Sequence, residues 1–366
     1  MKIIWFTWKD IKNPLAGGAE VVASEIGKRL VKDGHEVIFL TAGFKDAKSE
    51  ECIDGYKIIR LGNRWSVYFK VAQFYKKNLN GWADVIIEEI NTIPFFTQSF
   101  VKEKRRYLFF HQLCREIWFY QMAFPLSFIG YLIEPMYLRS LQKNKVITVS
   151  ESTRKDLIRF GFLKKSIKII SEGIVMEPVR DLAKIKKYKN FTVLSFGAIR
   201  PMKRTLEQIK AFEIARKKVP GLRMKIAGSG KGSYFDKVIK YVNKSYCSDD
   251  IEYLGRVTQE EKIGLMQRSH VILVTSVKEG WGLIVTEANS QGTPAIVYNV
   301  DGLRDSVRNS RTGFVTSRNN PESLARSIIE LCQDQKTLDK FQSAALKWSK
   351  EITFDQTYIE FMKAIQ

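Results

Sequence analysis

Cysteine and histidine are scarce in this sequence, and neither residue type forms a cluster. The 366 residues include four cysteines and three histidines, and the cysteines lie far apart, with no Cys-x-x-Cys pair. A disulfide framework, a structural zinc site and an iron–sulfur site are therefore excluded, and the cysteine content fits a reducing compartment. Two of the histidines, His35 in a predicted turn and His270 at the start of a predicted strand, are expected to be structural.

Long apolar segments are also missing. The longest, residues 117–133, is interrupted by Gln121 and Pro125 and is shorter than the roughly 20 residues that a membrane-spanning helix requires. The N-terminal sequence is apolar and β-rich, and no basic stretch followed by a long apolar run marks a secretory signal. We therefore expect a cytoplasmic protein.

Acidic residues are too few to balance the basic ones. The chain has 60 Lys+Arg against 39 Asp+Glu, and the net charge of +21 divides into +10 over residues 1–180 and +11 over the remainder. A nucleic-acid-binding protein concentrates its charge in one patch with interleaved aromatic residues, so we do not expect nucleic acid as a partner. The even excess leaves three explanations open: an anionic substrate, an anionic membrane surface, or a compositional bias.

Apolar strands and amphipathic helices alternate along the chain. Strands are predicted at residues 2–6, 36–41, 84–87, 106–110, 146–150, 168–171, 192–197, 222–228, 270–275 and 294–298. Near-continuous apolar strands separated by helices are typical of parallel sheets that are covered on both faces. Since 366 residues exceed one ordinary domain, we predict an α/β protein with two Rossmann-like, doubly wound parallel-sheet domains.

A polar, basic segment separates the two halves of this pattern. Residues 178–190 contain few large apolar side chains, and we predict that they form a linker. The predicted N-terminal domain then covers residues 1–177, and the predicted C-terminal domain covers residues 191–349.

The segment KEGWGLIVTEAN, residues 278–289, follows a predicted strand and opens a predicted helix. Ligands of open α/β sheets bind beyond the carboxyl ends of the strands, and a helix that begins there directs free backbone N–H groups at the ligand. Gly280 and Gly282 allow the backbone to approach a phosphate closely. Glu279 and Glu287 carry carboxylates that can accept hydrogen bonds from the vicinal hydroxyls of a sugar or a ribose.

This segment resembles the signature of the family-4 glycosyltransferases, in which two glutamates flank seven residues in a run like EGFGL…EA. Here the run begins at Glu279 and ends at Glu287, with Trp281 at the usual aromatic position. Further matches are GGAE at 17–20, DGHEV at 33–37, His111 after a predicted strand, VSESTRKDL at 149–157, Gly-Ser-Gly at 228–230 and Gly-Thr-Pro at 292–294. The resemblance covers about the whole chain and is weakest over residues 44–80 and 112–140.

The family has the GT-B fold, in which two such domains face each other across a central cleft. The resemblance implies a retaining, hexosyltransferase-type enzyme that moves a sugar from a nucleotide-sugar donor to a glycan or lipid-linked acceptor, in cell-surface polysaccharide or glycolipid synthesis. The N-terminal domain is then the acceptor side, joined by a C-terminal helix at 350–366, and the C-terminal domain binds the nucleotide sugar. The family requires no bound metal or other cofactor, and the chain has no Asp-x-Asp metal motif.

The resemblance also assigns a role to individual residues. His111 and Glu279 are implied to contact the donor sugar, and Lys203 is implied to stabilise the diphosphate leaving group, so these three are the predicted catalytic residues. Glu287 is implied to bind the ribose hydroxyls. The other predicted donor-binding residues, which surround the phosphates, are Gly17, Gly18, Arg200, Gly282, Leu283 and Ile284.

The phosphate-binding motif departs from the family's pattern. Members commonly carry Gly-Arg-Leu followed by Lys-Gly, whereas Ala198 stands at the arginine position here, with Lys203 in place. Arg200 and Arg204 are both candidate replacements for the missing charge. Ala198 also motivates an alternative, a catalytically idle GT-B protein that acts as a binding or scaffold module. A second departure is SEGI at 171–174, where an Asn-Gly pair is common.

Residues 115–139 are apolar and rich in aromatic side chains. They are either a pair of helices packed into the first domain or a site for a lipid-linked or membrane-surface glycan. In the second interpretation the neighbouring cations Lys102, Lys104, Arg105 and Arg106 meet anionic headgroups. An anionic membrane surface is then a further candidate partner, with the protein located peripherally at the inner membrane face.

Overall fold

The chain divides into two compact units. A computed structural model describes residues 1–103 and 105–366; unit 1 comprises Met1–Gly173 and Phe354–Gln366, and unit 2 comprises Ile174–Thr353. Both units are built on mostly parallel sheets, which confirms the predicted α/β fold class.

Outside residue 104, the chain of unit 1 forms one eight-stranded sheet. Its strands are β1 (Lys2–Phe6), β2 (Glu36–Thr41), β3 (Glu50–Ile53), β4 (Tyr56–Arg60), β5 (Val85–Ile90), β6 (Arg106–Phe110), β7 (Lys145–Thr148) and β8 (Ile167–Ile169). The strand order is β3-β4-β2-β1-β5-β6-β7-β8, and only the β3–β4 pair at one edge is antiparallel. Ile3, Ile4, Trp5 and Phe6 of the central strand β1 are fully buried, as expected for a strand with both faces covered.

The described residues of unit 1 form six α-helices. They are α1 (Gly18–Lys32), α2 (Val67–Asn78), α3 (Trp118–Gln121), α4 (Leu126–Leu141), α5 (Glu151–Arg159) and the last helix of the chain, α12 (Phe354–Ile365). Helix α12 packs on the sheet through Phe361, whose ring stacks on Trp5 with 5.5 Å between centroids. Its first turn is tied to α1 by the ion pair between Asp355 and Arg29, at 2.8 Å. The chain's last helix is therefore part of the N-terminal unit.

Unit 2 contains a six-stranded sheet whose neighbours are all parallel. Its strands are β9 (Thr192–Phe196), β10 (Arg223–Ala227), β11 (Ile251–Gly255), β12 (Val271–Val274), β13 (Ala295–Val297) and β14 (Gly313–Val315), in the order β11-β10-β9-β12-β13-β14. Its helices are α6 (Thr205–Arg216), α7 (Ser233–Lys244), α8 (Gln259–Arg268), α9 (Leu283–Ser290), α10 (Pro321–Gln333) and α11 (Gln335–Ser349). The core strands β9 and β12 lie side by side, so the loops that follow them leave the same edge of the sheet.

The unit boundaries differ from the predicted ones, because residues 178–190 are not a free linker. The backbone N–H of Val179 donates to the Ser290 carbonyl at 2.8 Å, and that of Tyr188 donates to the Arg268 carbonyl at 2.9 Å. The Lys187 ammonium donates to the carbonyls of Ser269 and Gly292 and to the Thr293 hydroxyl, at 2.8, 3.2 and 3.0 Å. The polar composition of the segment does not reveal these contacts, in which two backbone N–H groups and the Lys187 side chain bind unit 2.

The two crossings between the units occur at residues 173–174 and 353–354. Gly173 is required at the first crossing, because a Cβ there would lie 2.3 Å from the backbone nitrogen of Phe354. The C-terminal unit therefore begins at Ile174 rather than at residue 191, and the last segment of unit 1 begins at Phe354 rather than at residue 350.

Candidate active site

The segment 278–289 forms the loop and helix that follow β12. Its loop is pinned by backbone hydrogen bonds, from Val277 N–H to the Met202 carbonyl at 2.8 Å and from Glu279 N–H to the Asp301 carbonyl at 3.1 Å. Gly282 has a φ of +103°, and a Cβ at this position would lie 2.9 Å from Leu303. Only glycine fits this left-handed position, so helix α9 begins at Leu283, with its first backbone N–H groups at the end of β12.

Lys203 and Glu279 form an ion pair in unit 2. Lys203 ends a short 3-10 turn, Pro201–Lys203, whose last carbonyl accepts a hydrogen bond from Thr275, just after β12, at 2.9 Å. The Lys203 ammonium donates to the Glu279 carboxylate, and the Ser276 hydroxyl donates to the same oxygen at 2.6 Å. The parallel neighbours β9 and β12 thus bring together two of the predicted catalytic residues.

Glu279 is ionised by this arrangement. Burial alone raises the pKa of a carboxyl group, but the charge and hydrogen bond of Lys203, the hydroxyl of Ser276 and the charge of Arg200 outweigh it and hold the pKa of Glu279 below its ordinary value. The site therefore contains a carboxylate that already has a cationic partner.

The structure distinguishes the two candidate replacements for the missing arginine. Ala198 is exposed, and Arg200 lies close enough to Glu279 to lower its pKa. Arg204 instead lies 3.8 Å from Glu207 and over the ring of Tyr298, 6.0 Å from its centroid. The charge of Arg200 therefore acts on Glu279, whereas Arg204 has Glu207 and Tyr298 as its neighbours.

Glu287 also has a cationic partner, which sequence reasoning missed. Lys262 of helix α8 donates to the Glu287 carboxylate at 2.8 Å and lies over the ring of Phe196, 5.5 Å from its centroid. The start of α8 is fixed by a capping box, in which Thr258 accepts from the Glu261 N–H and the Glu261 carboxylate accepts from the Thr258 N–H. The box predicts where α8 begins, but nothing local predicts a contact between residues 25 apart in the sequence.

His111 lies in unit 1, directly after β6, between two buried carboxylates. Its Nδ1 is 2.9 Å from Glu172 and its Nε2 is 3.4 Å from Glu89, while its ring stacks on Phe109 with 4.5 Å between centroids. Burial on its own lowers the pKa of an imidazole, but the hydrogen bond to Glu172 and the charges of Glu89 and Glu172 outweigh burial and raise the pKa of His111 to about 10. His111 is therefore a charged imidazolium at neutral pH.

Both carboxylate partners of His111 were missed from the sequence. Glu89 lies in the fully buried strand VIIEEI, where an acid among apolar residues is a signal of a buried partner. Its other oxygen accepts a hydrogen bond from the Trp5 indole at 2.8 Å. Glu172 lies at the position where the family commonly carries Asn-Gly, so the second departure from the family's pattern contacts a predicted catalytic residue.

The predicted glycines of the first loop lie at the start of α1 in unit 1. The Gly17 N–H donates to the Glu20 carboxylate at 2.6 Å, and the second oxygen of Glu20 pairs with Lys9 at 3.2 Å. The Gly17 amide is therefore not a free donor for a phosphate, because the glutamate three residues later caps it. Gly18 is the first residue of the helix.

Two groups of predicted site residues are thus formed within unit 2. One contains Arg200, Lys203 and Glu279, and the other is the Glu287–Lys262 pair within and beside α9, the helix that Gly282, Leu283 and Ile284 begin. His111, Gly17 and Gly18 belong to unit 1. Within residues 1–103 and 105–366, no three histidine, cysteine or acidic side chains are grouped so that they could hold a metal ion.

Comparison with known proteins identifies the family. The profile described as "Glycosyl transferases group 1" matches residues 180–348, and that of "Glycosyltransferase Family 4" matches residues 16–177. The poly(glycerol-phosphate) alpha-glucosyltransferase of Bacillus subtilis (strain 168) is 30% identical over 176 residues, which span 48% of this chain and only 25% of that relative. The N-acetyl-alpha-D-glucosaminyl L-malate synthase of Bacillus anthracis is 21% identical over 362 residues, 88% of this chain and 86% of that relative.

The fold is likewise shared with solved structures. The structure of Anabaena HepE in complex with UDP and glucose matches 100% of this chain and 99% of its own, with a TM-score of 0.71 and 17% sequence identity. The two profiles together cover most of both units. The Glu279–Glu287 signature and the two mostly parallel sheets support the same family. The chain therefore belongs to the family-4 glycosyltransferases and has the GT-B fold.

Proposed function

We propose that this protein is a retaining glycosyltransferase that moves a hexosyl group from a nucleotide-sugar donor to a glycan or lipid-linked acceptor. Its role is the synthesis of cell-surface polysaccharide or glycolipid. The observation that carries the proposal is the Lys203–Glu279 ion pair with Arg200 beside it, at the strand ends where α9 begins. These are two cations, one carboxylate and a helix N-terminus, which suit the diphosphate and the sugar of such a donor.

The ion pair is suited to change partners when the donor binds. Lys203 and Glu279 remain partly accessible, with 26% and 17% of their side chains exposed. A diphosphate offers Lys203 a more highly charged partner than one carboxylate, and Glu279 is then free to accept hydrogen bonds from the hydroxyls of the donor sugar. Glu287 binds the ribose hydroxyls in the same way, with the hydrogen bond from Lys262 orienting its carboxylate.

Catalysis requires stabilisation of the leaving diphosphate. As the bond between the anomeric carbon and the phosphate oxygen breaks, negative charge grows on the diphosphate, and Lys203, Arg200 and the amides of Leu283 and Ile284 stabilise it. The acceptor oxygen forms its bond on the same face of the sugar, and its proton passes to the departing phosphate oxygen. No protein general base and no metal ion are needed for this step.

The donor is a nucleotide sugar, and a UDP-sugar is the first candidate, because HepE, which shares the fold, was solved with UDP and glucose. By the family resemblance, His111 of unit 1 is the residue that contacts the donor sugar, and Glu172 and Glu89 fix the orientation of its ring. Fewer observations bear on the acceptor than on the donor. The match to a glucosyltransferase of a glycerol-phosphate polymer favours an anionic glycan, which the net charge of +21 suits.

Thermal unfolding in the presence of UDP-, GDP-, ADP- and dTDP-sugars and their bare nucleotides tests the proposal. A ligand at 100 times its dissociation constant adds about 2.7 kcal/mol of stability, and a shift of a few degrees follows. We expect one nucleotide class to raise the melting temperature and the others to leave it unchanged. The anomeric configuration of the product, measured by NMR with that donor, then tests retention.

Two arginine variants supply a matched control. Arg200→Gln should reduce the shift caused by the diphosphate, whereas Arg204→Gln should keep it, because Arg204 faces Glu207 rather than Glu279. A panel in which no nucleotide changes the melting temperature would instead favour the catalytically idle binding module that Ala198 suggests. Equal losses in the two variants would show that the cation beside Glu279 has been misassigned.

A further inference from the structure

Helix α4 turns an apolar face to solvent. Leu126, Phe128, Ile129, Leu132, Ile133 and Met136 are 44–66% exposed, and with 100° per residue they occupy one side of the helix. We call these six residues the α4 apolar face. The loop before it adds Phe124, which is 81% exposed. Single exposed apolar residues are ordinary, but a contiguous face of this kind marks an interaction site.

The orientation of α4 is fixed, so the apolar face cannot turn inward. Glu134, the only acidic residue of α4, is buried on the opposite side. Its carboxylate accepts hydrogen bonds from the backbone N–H groups of Cys114 and Arg115, at 2.7 and 2.6 Å, and from the Trp118 indole, at 3.0 Å. Leu138 and Leu141 are fully buried on the same side. The helix thus buries its one acid together with Leu138 and Leu141, and it exposes the six side chains of the α4 apolar face.

The charges around this face are of one sign. Arg139 is exposed and continues the row of Leu132 and Met136, since residues three and four apart share a helix face. Lys143 is exposed just beyond the helix end. Between residues 115 and 143 the only exposed acid is Glu116, which precedes α3. The apolar face is therefore bordered by cations where α4 ends.

The cations that the sequence suggested for such a surface are different ones, and two of them are engaged elsewhere. The Arg105 guanidinium donates to the Ile365 carbonyl at 2.5 Å, and that of Arg106 donates to the Asn144 side chain at 2.8 Å. Lys102 is exposed, and Lys104 lies outside the described residues. The structure therefore moves the candidate headgroup contacts from residues 102–106 to Arg139 and Lys143.

We propose that the α4 apolar face, with Arg139 and Lys143, binds the boundary between headgroups and acyl chains of an anionic lipid bilayer. A protein interface of this size also carries polar groups that form hydrogen bonds across it, whereas all six side chains of this face are apolar. An apolar helix face bordered by cations is the pattern of a helix that lies in the interface plane. Within residues 1–103 and 105–366, no helix has the length and apolar content to cross the bilayer.

Flotation with lipid vesicles tests this proposal. Wild-type protein should float with vesicles of phosphatidylcholine and phosphatidylglycerol, less with phosphatidylcholine alone, and less again as salt screens the anionic headgroups. The double variant Ile129→Glu/Ile133→Glu should lower the partition coefficient by about tenfold or more, because it places two charges in the apolar layer. Ile359→Glu is the matched control, since Ile359 of α12 is 45% exposed and Ile133 is 47% exposed, and it should bind as wild type does.

A second pair of substitutions keeps the apolar face and changes only the charge. Arg139→Gln/Lys143→Gln should remove most of the preference for anionic vesicles while weak binding to phosphatidylcholine remains. Equal flotation with both vesicle types, no flotation, or a double glutamate variant that floats as wild type does would overturn the proposal. So would a wild-type dimer that the glutamate variant dissociates while neither protein binds vesicles, since the face would then be an interface between copies.

The experiment separates this proposal from the proposed enzymatic function. Vesicle binding is measured without nucleotide or acceptor, and the thermal shift with the donor nucleotide is measured without lipid. The double glutamate variant should keep the wild-type thermal shift, which also shows that it is folded. Loss of flotation with a retained thermal shift therefore concerns the α4 apolar face alone.

Discussion

The two units place charged residues after parallel strands, but they compensate those charges in different ways. In unit 1, His111 is held between Glu89 and Glu172, and the three side chains are 8%, 0% and 5% exposed. In unit 2, the pair of Lys203 and Glu279 remains partly accessible. Buried charges that lose a partner are left uncompensated, whereas accessible ones can exchange a partner for water or for a ligand.

This difference separates fixed charges from exchangeable ones. The imidazolium in unit 1 is neutralised by the fold itself and is stabilised whether or not a ligand is present. The cations in unit 2 are paired with carboxylates that remain partly accessible, as the proposed exchange for a diphosphate requires. Unit 1 therefore contains a buried charge with fixed partners, and unit 2 contains accessible charges, which the proposed function uses to bind the donor.

The largest expected effect is a difference in stability between two variants, each of which lacks one acid from one unit. Glu172→Ala should destabilise the protein by about 3–5 kcal/mol, because it leaves a buried imidazolium with one distant partner. Glu279→Ala should cost about 1 kcal/mol or less, since water can solvate Lys203. Urea denaturation at pH 7 measures both, with Glu36→Gln, at an exposed position of β2, as the control that should be neutral. Equal losses of stability in Glu172→Ala and Glu279→Ala would show that the two units do not differ in how they compensate these charges.

Lys203→Ala should have the next largest effect, on catalysis rather than on stability. Loss of one group that stabilises the leaving charge lowers kcat by about 10²–10³-fold, and Lys203→Arg should recover part of that loss because it keeps the charge. Lys210→Ala removes an exposed lysine from α6 and should leave kcat unchanged. Steady-state kinetics measure kcat for each variant, with the nucleotide sugar that raises the melting temperature as the donor. A Lys203→Ala variant with wild-type kcat would remove Lys203 from the mechanism.

The sequence predicted unit 2 better than unit 1, for a physical reason. In unit 2 the signals are local: Gly282, Glu279 and Glu287 lie within one segment that follows a single strand. In unit 1 the site is assembled from distant residues, since Glu89 and Glu172 are separated by 83 positions in the sequence and meet only because their chain segments reach the same end of one sheet. Periodicity and propensity carry no information about such contacts.

The strands that the sequence did not predict also lack a strong local signal. Strand β3 lies at the edge of its sheet, where alternate residues are exposed, so the apolar signal of the β3–β4 hairpin is weaker than that of two buried strands. The short strand β14 has only three residues. Residues 178–190 were misassigned because their polar groups find main-chain partners in unit 2, which composition does not predict.

Glu287→Gln should reduce nucleotide affinity without a large effect on folding. A hydrogen bond to a charged group contributes about 1.5–3 kcal/mol, so affinity should fall by roughly 10- to 100-fold. Glu330→Gln, an exposed substitution on α10, is the control within unit 2 and should bind as wild type does. Isothermal titration with the bare nucleotide measures both variants. A Glu287→Gln variant with unchanged affinity would show that the ribose is bound elsewhere.

The last comparison concerns how stability depends on pH. His111 in unit 1 and Lys187 in unit 2 should contribute to this dependence with opposite signs. Because the pKa of His111 is raised to about 10, the folded state binds more protons than the unfolded state above pH 6.5, and this stabilisation is lost as the pH rises towards 10. Burial lowers the pKa of Lys187 from 10.5 to about 7, so the unfolded state binds the extra proton and this contribution to stability rises with pH.

The two contributions oppose each other between pH 7 and 9, so two substitutions should change the measured slope in opposite directions. Glu172→Gln weakens the charge that holds the proton on His111, and stability should then fall less steeply with pH than in wild type. Lys187→Met removes the opposing contribution, and stability should fall more steeply, by up to about 1.4 kcal/mol per pH unit. Urea denaturation at three pH values measures the slopes. Slopes that change in the same direction would mean that the two units do not differ in how they hold a buried cation.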